Sequence, residues 1–273
     1  MPGRPSPSLS EKWSTAVVTG ASSGIGEQFC RQLAAGGVDL VIVARDLSRL
    51  RELADELSDA HGVGVEVLAA DLSAPVSRAA LERRLRDGGA PVDLLVNNAG
   101  FGTGGRFDQL PIAREDQQIQ LNVVALMRLT SVAATEMVAR GHGNVVNVSS
   151  IAGLQPTPGS ATYGATKAFV SSFSSSVHRE LRGTGVAVTD VVAGFTRTSF
   201  HDRPDVSAPE RLPGAAWLSA EQVAHDALQA ALADRARAVP GTNYRGLLGA
   251  RAAVPSGPAR WLSTRLGRAV RSG

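Results

Sequence analysis

Six short runs rich in valine recur along roughly the first 190 residues: TAVVT (15–19), DLVIVA (39–44), VGVEVLA (63–69), VDLLVN (92–97), GNVVNVS (143–149) and VAVTDVV (186–192). They are nearly continuous in apolar character and do not alternate. A strand reads this way when both of its faces are covered, as in a parallel sheet sandwiched between helices. The stretches between them carry apolar residues at helical spacing; Leu47, Leu50, Leu53, Ala54 and Leu57 make one such stripe. Strand–helix–strand alternation with right-handed crossovers predicts an α/β doubly wound fold.

The chain has 273 residues, 43% of them hydrophobic and 19% charged, which suits one large globular domain with a sizeable core. The alternation stops near residue 198. The segment SFHDRPDVSAPERLPGAAW holds three prolines and reads as a lid over 199–217. A helix is expected from Ser219, a plausible N-cap with Gln222 at the third helical position. A Pro- and Ser-rich flexible leader is expected over 1–13, the main domain over 14–240, and a basic extension over 241–273. From Arg245 onward there are six Arg and no acidic residue, so the net charge of +3 leaves about −3 on the rest. That argues against a nucleic-acid-binding domain and points to a basic tail, packed on its own domain or a partner subunit, or touching an anionic membrane surface. The single cysteine, Cys30, allows no internal disulfide. No apolar run reaches the roughly 18 residues of a membrane span, and the N-terminus lacks a secretory apolar stretch, so a cytoplasmic protein is expected. His142, His178 and His201 show no metal-ligand spacing and no metal site is expected.

TGASSGIG (19–26) sits directly after the first strand and opens the first helix. Glycine permits positive φ and removes the Cβ that would block a phosphate, while the helix start presents N–H groups and a positive dipole end. A phosphate-bearing dinucleotide is therefore expected here. At the end of the second strand, where an acidic residue would bond the ribose 2′-OH of NAD, the chain has Ala44 and then Arg45. The planar guanidinium suits the 2′-phosphate of NADP. Asp46 leaves NAD(H) possible, although it also precedes a helix and makes a good N-cap.

With TGASSGIG, NNAG (97–100), NVSS (147–150) and YGATK (163–167) in this order, the chain resembles the short-chain dehydrogenase/reductase family over residues 14–240 or so. The resemblance implies a Rossmann-type domain with a seven-stranded, mostly parallel sheet. It implies that Gly20, Ser22, Ser23, Gly24, Ile25 and Gly26 hold the pyrophosphate and adjoining ribose, that Asp71 and Leu72 meet the adenine, and that Asn97, Asn98, Ala99 and Gly100 line the cofactor and brace the sheet. Asn122, Ser150, Tyr163 and Lys167 correspond to the catalytic tetrad, Tyr163 and Lys167 also touching the cofactor; Gly194, Thr196 and Thr198 correspond to the nicotinamide end. The chain departs from the family at Ala193, where Pro usually precedes the glycine, which puts the rigidity of that turn in question.

Tyr163 and Lys167 are one of two tyrosines and one of two lysines in a chain whose other 26 basic residues are Arg. Residues i and i+4 share a helix face. An ammonium there is expected to lower the phenol pKa toward the useful range for general acid–base work. The activity implied is hydride exchange between NADP(H) and a carbonyl or secondary alcohol, with Ser150 holding the carbonyl oxygen, Tyr163 moving the proton and Asn122 anchoring a water that refills it through Lys167. The competing reading is a catalytically silent NADP-binding sensor or scaffold, which would not need the intact tetrad; a membrane-peripheral reductase of lipid-like substrates rests on the tail alone. Leu154, Phe195, Phe200 and Trp217 suggest an apolar small-molecule substrate, and the family's habit implies a homodimer or homotetramer.

Overall fold

The computed structural model describes residues 7–87, 89–198 and 214–246. In chain order the elements are α1 (Leu9–Lys12), β1 (Thr15–Thr19), α2 (Gly24–Ala35), β2 (Asp39–Ala44), α3 (Leu47–His61), β3 (Val65–Ala69), α4 (Pro75–Asp87), β4 (Leu94–Asn97), α5 (Ile112–Ile119), α6 (Leu126–Arg140), β5 (Gly143–Ser150), α7 (Ala161–Glu180), β6 (Val186–Ala193), β7 (Thr196–Arg197), β8 (Leu218–Ser219), α8 (Ala220–Leu232) and β9 (Arg237–Ala238). The main sheet has seven strands in the order β3-β2-β1-β4-β5-β6-β9, every neighbouring pair parallel. β7 and β8 form a separate two-stranded ribbon.

Successive residues of the central strands supply two cores. Val18, Ile42, Leu94 and Val146 face a layer containing Phe29, Leu33, Leu50, Leu53 and Leu228. Val17, Val41, Leu95 and Val145 face Leu81, Leu129, Ala133 and Met137. A strand that must be apolar on both sides cannot alternate, which is why these runs read as continuous. The strand order reverses beside β1, where β2 and β4 flank it on opposite sides. The ends of β1 and β4 therefore frame a crevice at the switch point, the place where open α/β sheets bind ligands.

Local chemistry fixes the helix starts. Asp46 caps α3, its carboxylate accepting from the Arg49 amide at 3.0 Å and the Ser48 hydroxyl at 2.9 Å. Ser219 caps α8 by accepting from the Gln222 amide at 3.1 Å.

Two boundaries differ from those read from sequence. The expected leader is already packed at α1, which has a Ser8–Glu11 capping box, and Trp13 is buried with its indole donating to Asn144 at 2.9 Å. A Pro/Ser-rich composition hides a single aromatic anchor. The expected extension also begins later than 241, because Tyr244 is buried against the core. The basic residues from 251 on and the lid residues 199–213, with Phe200 and His201, lie outside the described residues.

One continuous helix, Ile112–Arg140, is long and apolar enough for a membrane span by length and composition, a length that short apolar runs in the sequence conceal. Half of its most apolar stretch is buried in the domain, and α6 packs on α4, β4 and β5.

Candidate active site

The turn after β1 shows why it is built from glycine. Gly20 and Gly24 have φ of +69° and +59°, in the left-handed region. A Cβ on Gly26 would stand 2.0 Å from the Gly20 carbonyl oxygen, so the start of α2 closes tightly over the turn. Asn98 braces it from β4, its amide donating to the carbonyls of Thr19 at 3.0 Å and Gly20 at 3.3 Å. Thr19 Oγ1 accepts from the amides of Asn98 and Ala99. Ser23, at the N-cap of α2, makes no side-chain capping bond, which leaves the first-turn amides to an anion. These residues form a cradle that a phosphate group fits.

A cleft of about 710 Å³ runs from this turn across the sheet ends. Every cofactor or catalytic residue implied by the resemblance lines it except Gly26, Asn97 and Asn122, which stand behind the wall. At the adenosine end, Arg45 is exposed on the rim. Asp46 lines the same rim and caps α3, one of its carboxylate oxygens taking both capping bonds. Asp71 turns its carboxylate onto the Ser73 amide and hydroxyl, shaping the bend after β3.

In the middle of the cleft the long helix passes through a π-helical turn, Gln120–Ala125, which carries Asn122. Such turns offset a helix locally and recur at functional sites. Asn122 is buried, accepts from the Phe101 amide at 3.1 Å, and donates to the Phe101 carbonyl at 2.8 Å and to Thr166 Oγ1 at 3.2 Å. Its amide thus locks the loop after β4 to α7, and both of its N–H donors are occupied. A Cβ on Gly100 would lie 3.0 Å from Asn122 Oδ1 and 3.5 Å from Lys167 Nζ, so glycine leaves room for both groups, of which Lys167 lines the cleft. Asn97 does not face the ligand side; it ties β4 to Thr130 and Asn147.

Tyr163 and Lys167 project from the first turns of α7 as the spacing predicts, the ammonium 5.8 Å from the phenol ring centre. Ser150 ends β5 and hydrogen-bonds the Tyr163 side chain. The electrostatics differ from the sequence expectation. Burial pushes the Tyr163 phenol up to about 12, with the Ser150 hydrogen bond opposing, and Lys167 does not offset it. Lys167 is itself buried, donates to the Val148 carbonyl at 2.8 Å, and is pulled down to about 8 by loss of water, with Asp190 opposing. Loss of water is the dominant influence on both groups, with Lys167 buried and Tyr163 partly so.

At the other end of the cleft, Thr196 is buried and donates to the Gly194 carbonyl, and the Thr198 side chain abuts Gly24, about 3.0 Å from where a Cβ would stand. The turn that carries Ala193 in place of proline is held by a residue that the sequence did not single out. Tyr244 lays its ring on Gly194, where a Cβ would fall 2.4 Å from a ring carbon. Its hydroxyl accepts from the Phe195 amide at 3.1 Å and donates to the Ala216 carbonyl at 2.6 Å. Only its distance in sequence, 49 residues from Phe195, concealed it.

Phe101, Ile151 and Phe195 line the cleft, whereas Leu154 and Trp217 do not; Trp217 stacks at a tilt on Phe195, with ring centres 5.9 Å apart. Gln155, Thr157 and Arg114 give the same wall a polar part, with Arg114 4.0 Å over the Phe101 ring. His178 donates from Nδ1 to the Val188 carbonyl and His142 sits beside Asp93, both outside the cleft. Among the described residues no group of His, Cys, Asp and Glu could hold a metal.

A parallel doubly wound sheet with a glycine cradle at its switch point, and a Tyr–Lys pair with a buried lysine beside it, defines a nucleotide-dependent oxidoreductase of the Rossmann type. Residues 14–205 match the short chain dehydrogenase family model, and the chain belongs to that family. It is 36% identical to a short-chain dehydrogenase from Sphingobium yanoikuyae in complex with NADPH, covering 89% of this chain and 97% of that one with a TM-score of 0.77. It is 32% identical to the bulky-bulky ketone specific alcohol dehydrogenase from Comamonas testosteroni, covering 89% and 96%, with a TM-score of 0.76. It is also 40% identical over 188 residues to an uncharacterized oxidoreductase of Myxococcus xanthus, 68% of this chain and 73% of that one.

Proposed function

We propose that the chain is an NADP(H)-dependent enzyme that interconverts a carbonyl and a secondary alcohol, with Tyr163 as general acid and base. The observation that carries this reading is the junction of Ser150, Tyr163 and Lys167 on one wall of the cleft that begins at the glycine cradle. A bound nicotinamide supplies or accepts the hydride. Ser150 orients the carbonyl oxygen toward Tyr163. With its phenol held up near 12, Tyr163 is protonated at neutral pH, the form that donates to a developing alkoxide. Lys167 is the neighbouring cation that favours the phenolate left behind, and it can do so only while protonated. Reduction is therefore expected to hold its rate through neutral pH and to fall above about pH 8, where Lys167 gives up its proton, as read from the pH profile of kcat/KM.

Arg45 on the rim of the cleft favours NADPH over NADH. The test is the melting temperature with each cofactor at equal concentration, since a ligand at a hundred times its Kd stabilises by about 2.7 kcal/mol. NADPH is expected to give the larger shift, and Arg45→Ala to weaken NADPH binding by about tenfold while leaving NADH unchanged. A larger shift with NADH would reverse the assignment. No shift with either would remove the cofactor from the reading. Bulky aryl ketones are the first substrates to screen, given the aromatic wall of Phe101 and Phe195 and the similarity to a bulky-ketone dehydrogenase. The exposed Ile112, Ile119 and Met127 along the long helix fit a subunit interface of a homodimer or homotetramer.

A further inference from the structure

The layer between α7 and the sheet is polar where it should be driest. Lys167, Ser171 and Ser174 on α7 are buried over Asn147, Ser149 and Asp190 on β5 and β6. Asp190 has no exposure at all, yet neither the glycine cradle nor the proton-transfer scheme uses it. One of its carboxylate oxygens accepts from Ser149 Oγ, and the other accepts from Arg237 Nε at 3.1 Å, an ion pair whose Arg half is partly exposed on the last strand. The register places Asp190 opposite Arg237 and pairs β6 with the end of β5 through Ser150. Ser149 also donates to the Val191 carbonyl, and the residue before it, Val148, receives the Lys167 ammonium. A chain of contacts thus runs Arg237–Asp190–Ser149–Val148–Lys167, with Ser150 as the next residue of β5.

A carboxylate taken fully out of water is costly unless it is paired and hydrogen-bonded, as Asp190 is by Arg237 and Ser149. We propose that Asp190, backed by Arg237, is a positioning residue of the site: it holds the end of β5 that carries Ser150 and provides the buried negative charge that keeps Lys167 an ammonium. The proposal rests on the reading of Tyr163 and Lys167 as an acid–base pair. Among the described residues, the titratable and charged groups on the elements packed around Lys167 are few. Its own helix has Tyr163 and, eleven to thirteen residues on at its far end, His178, Arg179 and Glu180; β6 has Asp190, and β9 behind it has Arg237. β5 contributes Val148, Ser149 and Ser150, none charged. The long helix contributes the neutral Asn122 and, one to two turns earlier, Arg114, Glu115 and Asp116. Of all these, Asp190 is the charge buried in the same layer as Lys167 and joined to it through Ser149 and Val148, and it acts to raise a pKa that burial lowers.

The chain has two lysines, so Lys167 can be watched directly by carbon NMR of the full-length protein with labelled lysine, assigned with Lys12→Arg. A purely structural ion pair predicts the same damage whichever partner is removed. A charge acting on Lys167 predicts opposite signs. Asp190→Asn, which keeps the shape and an acceptor for Ser149, is expected to lower the Lys167 titration midpoint by about one pH unit. Arg237→Gln, which leaves the Asp190 charge unneutralised, is expected to raise it. The alkaline limb of the reduction profile should move the same way in each variant. Midpoints that stay put, or that move in one direction in both, overturn the proposal. If Asp190→Asn does not fold, Arg237→Gln decides alone by the sign of its shift. Opposite NMR shifts in a protein without NADPH-dependent turnover would uphold the Asp190 assignment and sink the oxidoreductase reading, so the two fail separately.

Discussion

Tyr163→Phe is expected to lower turnover by at least about a hundredfold, the lower end of what general acid–base catalysis contributes and about 2.7 kcal/mol of activation free energy. The ring stays, so the contact with the Lys167 ammonium at 5.8 Å and the packing of α7 stay with it. What is lost is the hydroxyl that hydrogen-bonds Ser150 and carries the transferable proton. The NADPH-induced rise in melting temperature should survive, because the glycine cradle is untouched. That combination, binding without turnover, separates a catalytic phenol from a merely structural one. Near-normal turnover in this variant would remove Tyr163 from the mechanism and revive the silent-binding alternative.

Gly26→Ala should have the opposite signature. The added Cβ would lie 2.0 Å from the Gly20 carbonyl oxygen and 2.7 Å from its carbon, and it would press on the Asn98 amide at 2.6 Å. Two of these contacts are backbone, so no rotamer change relieves them. Either α2 or the Gly20 turn must shift, and Gly20 is already at positive φ. Overpacking of this kind costs about 1–3 kcal/mol of stability. Displacing the helix start also moves the amides that would meet the pyrophosphate. The NADPH thermal shift is expected to vanish at concentrations that saturate the parent. Gly246→Ala, with nothing within 4 Å of the added carbon, is the control and should behave as the parent. NADPH binding unchanged in Gly26→Ala would mean that the cofactor does not sit over this turn.

Local physics made much of this legible without coordinates. The bounds of β1 and β2 match the valine runs residue for residue, and Asp46 and Ser219 cap their helices as their positions suggested. Ser150, Tyr163 and Lys167 meet because they lie at a strand end and in the first turns of a helix that the alternation already placed on one rim, whereas Asn122 sits behind them in the middle of the long helix. The features that stayed hidden depend on distance in sequence. Trp13 looks like part of a loose leader until Asn144, 131 residues away, receives its indole. Asp190 reads as one polar residue in an apolar strand until Ser149 and Arg237 close on it. The balance of the Tyr163–Lys167 pair was misjudged for a related reason: spacing shows that two groups meet, but only packing shows how much water they lose.

Tyr244 imposes an order on how the site can be finished. β1 to β6 and their helices are complete by residue 193, so a growing chain can assemble almost the whole sheet while the ribosome is still adding its last quarter. The bend at Gly194 and Phe195 receives the ring and hydroxyl that hold it 49 residues later. Domains are synthesised at roughly 5–20 residues per second, which leaves that bend without its brace for several seconds of translation. A product terminated ahead of residue 244 would carry the glycine cradle and the Ser150, Tyr163 and Lys167 side chains but no brace on the bend that lines the far end of the cleft.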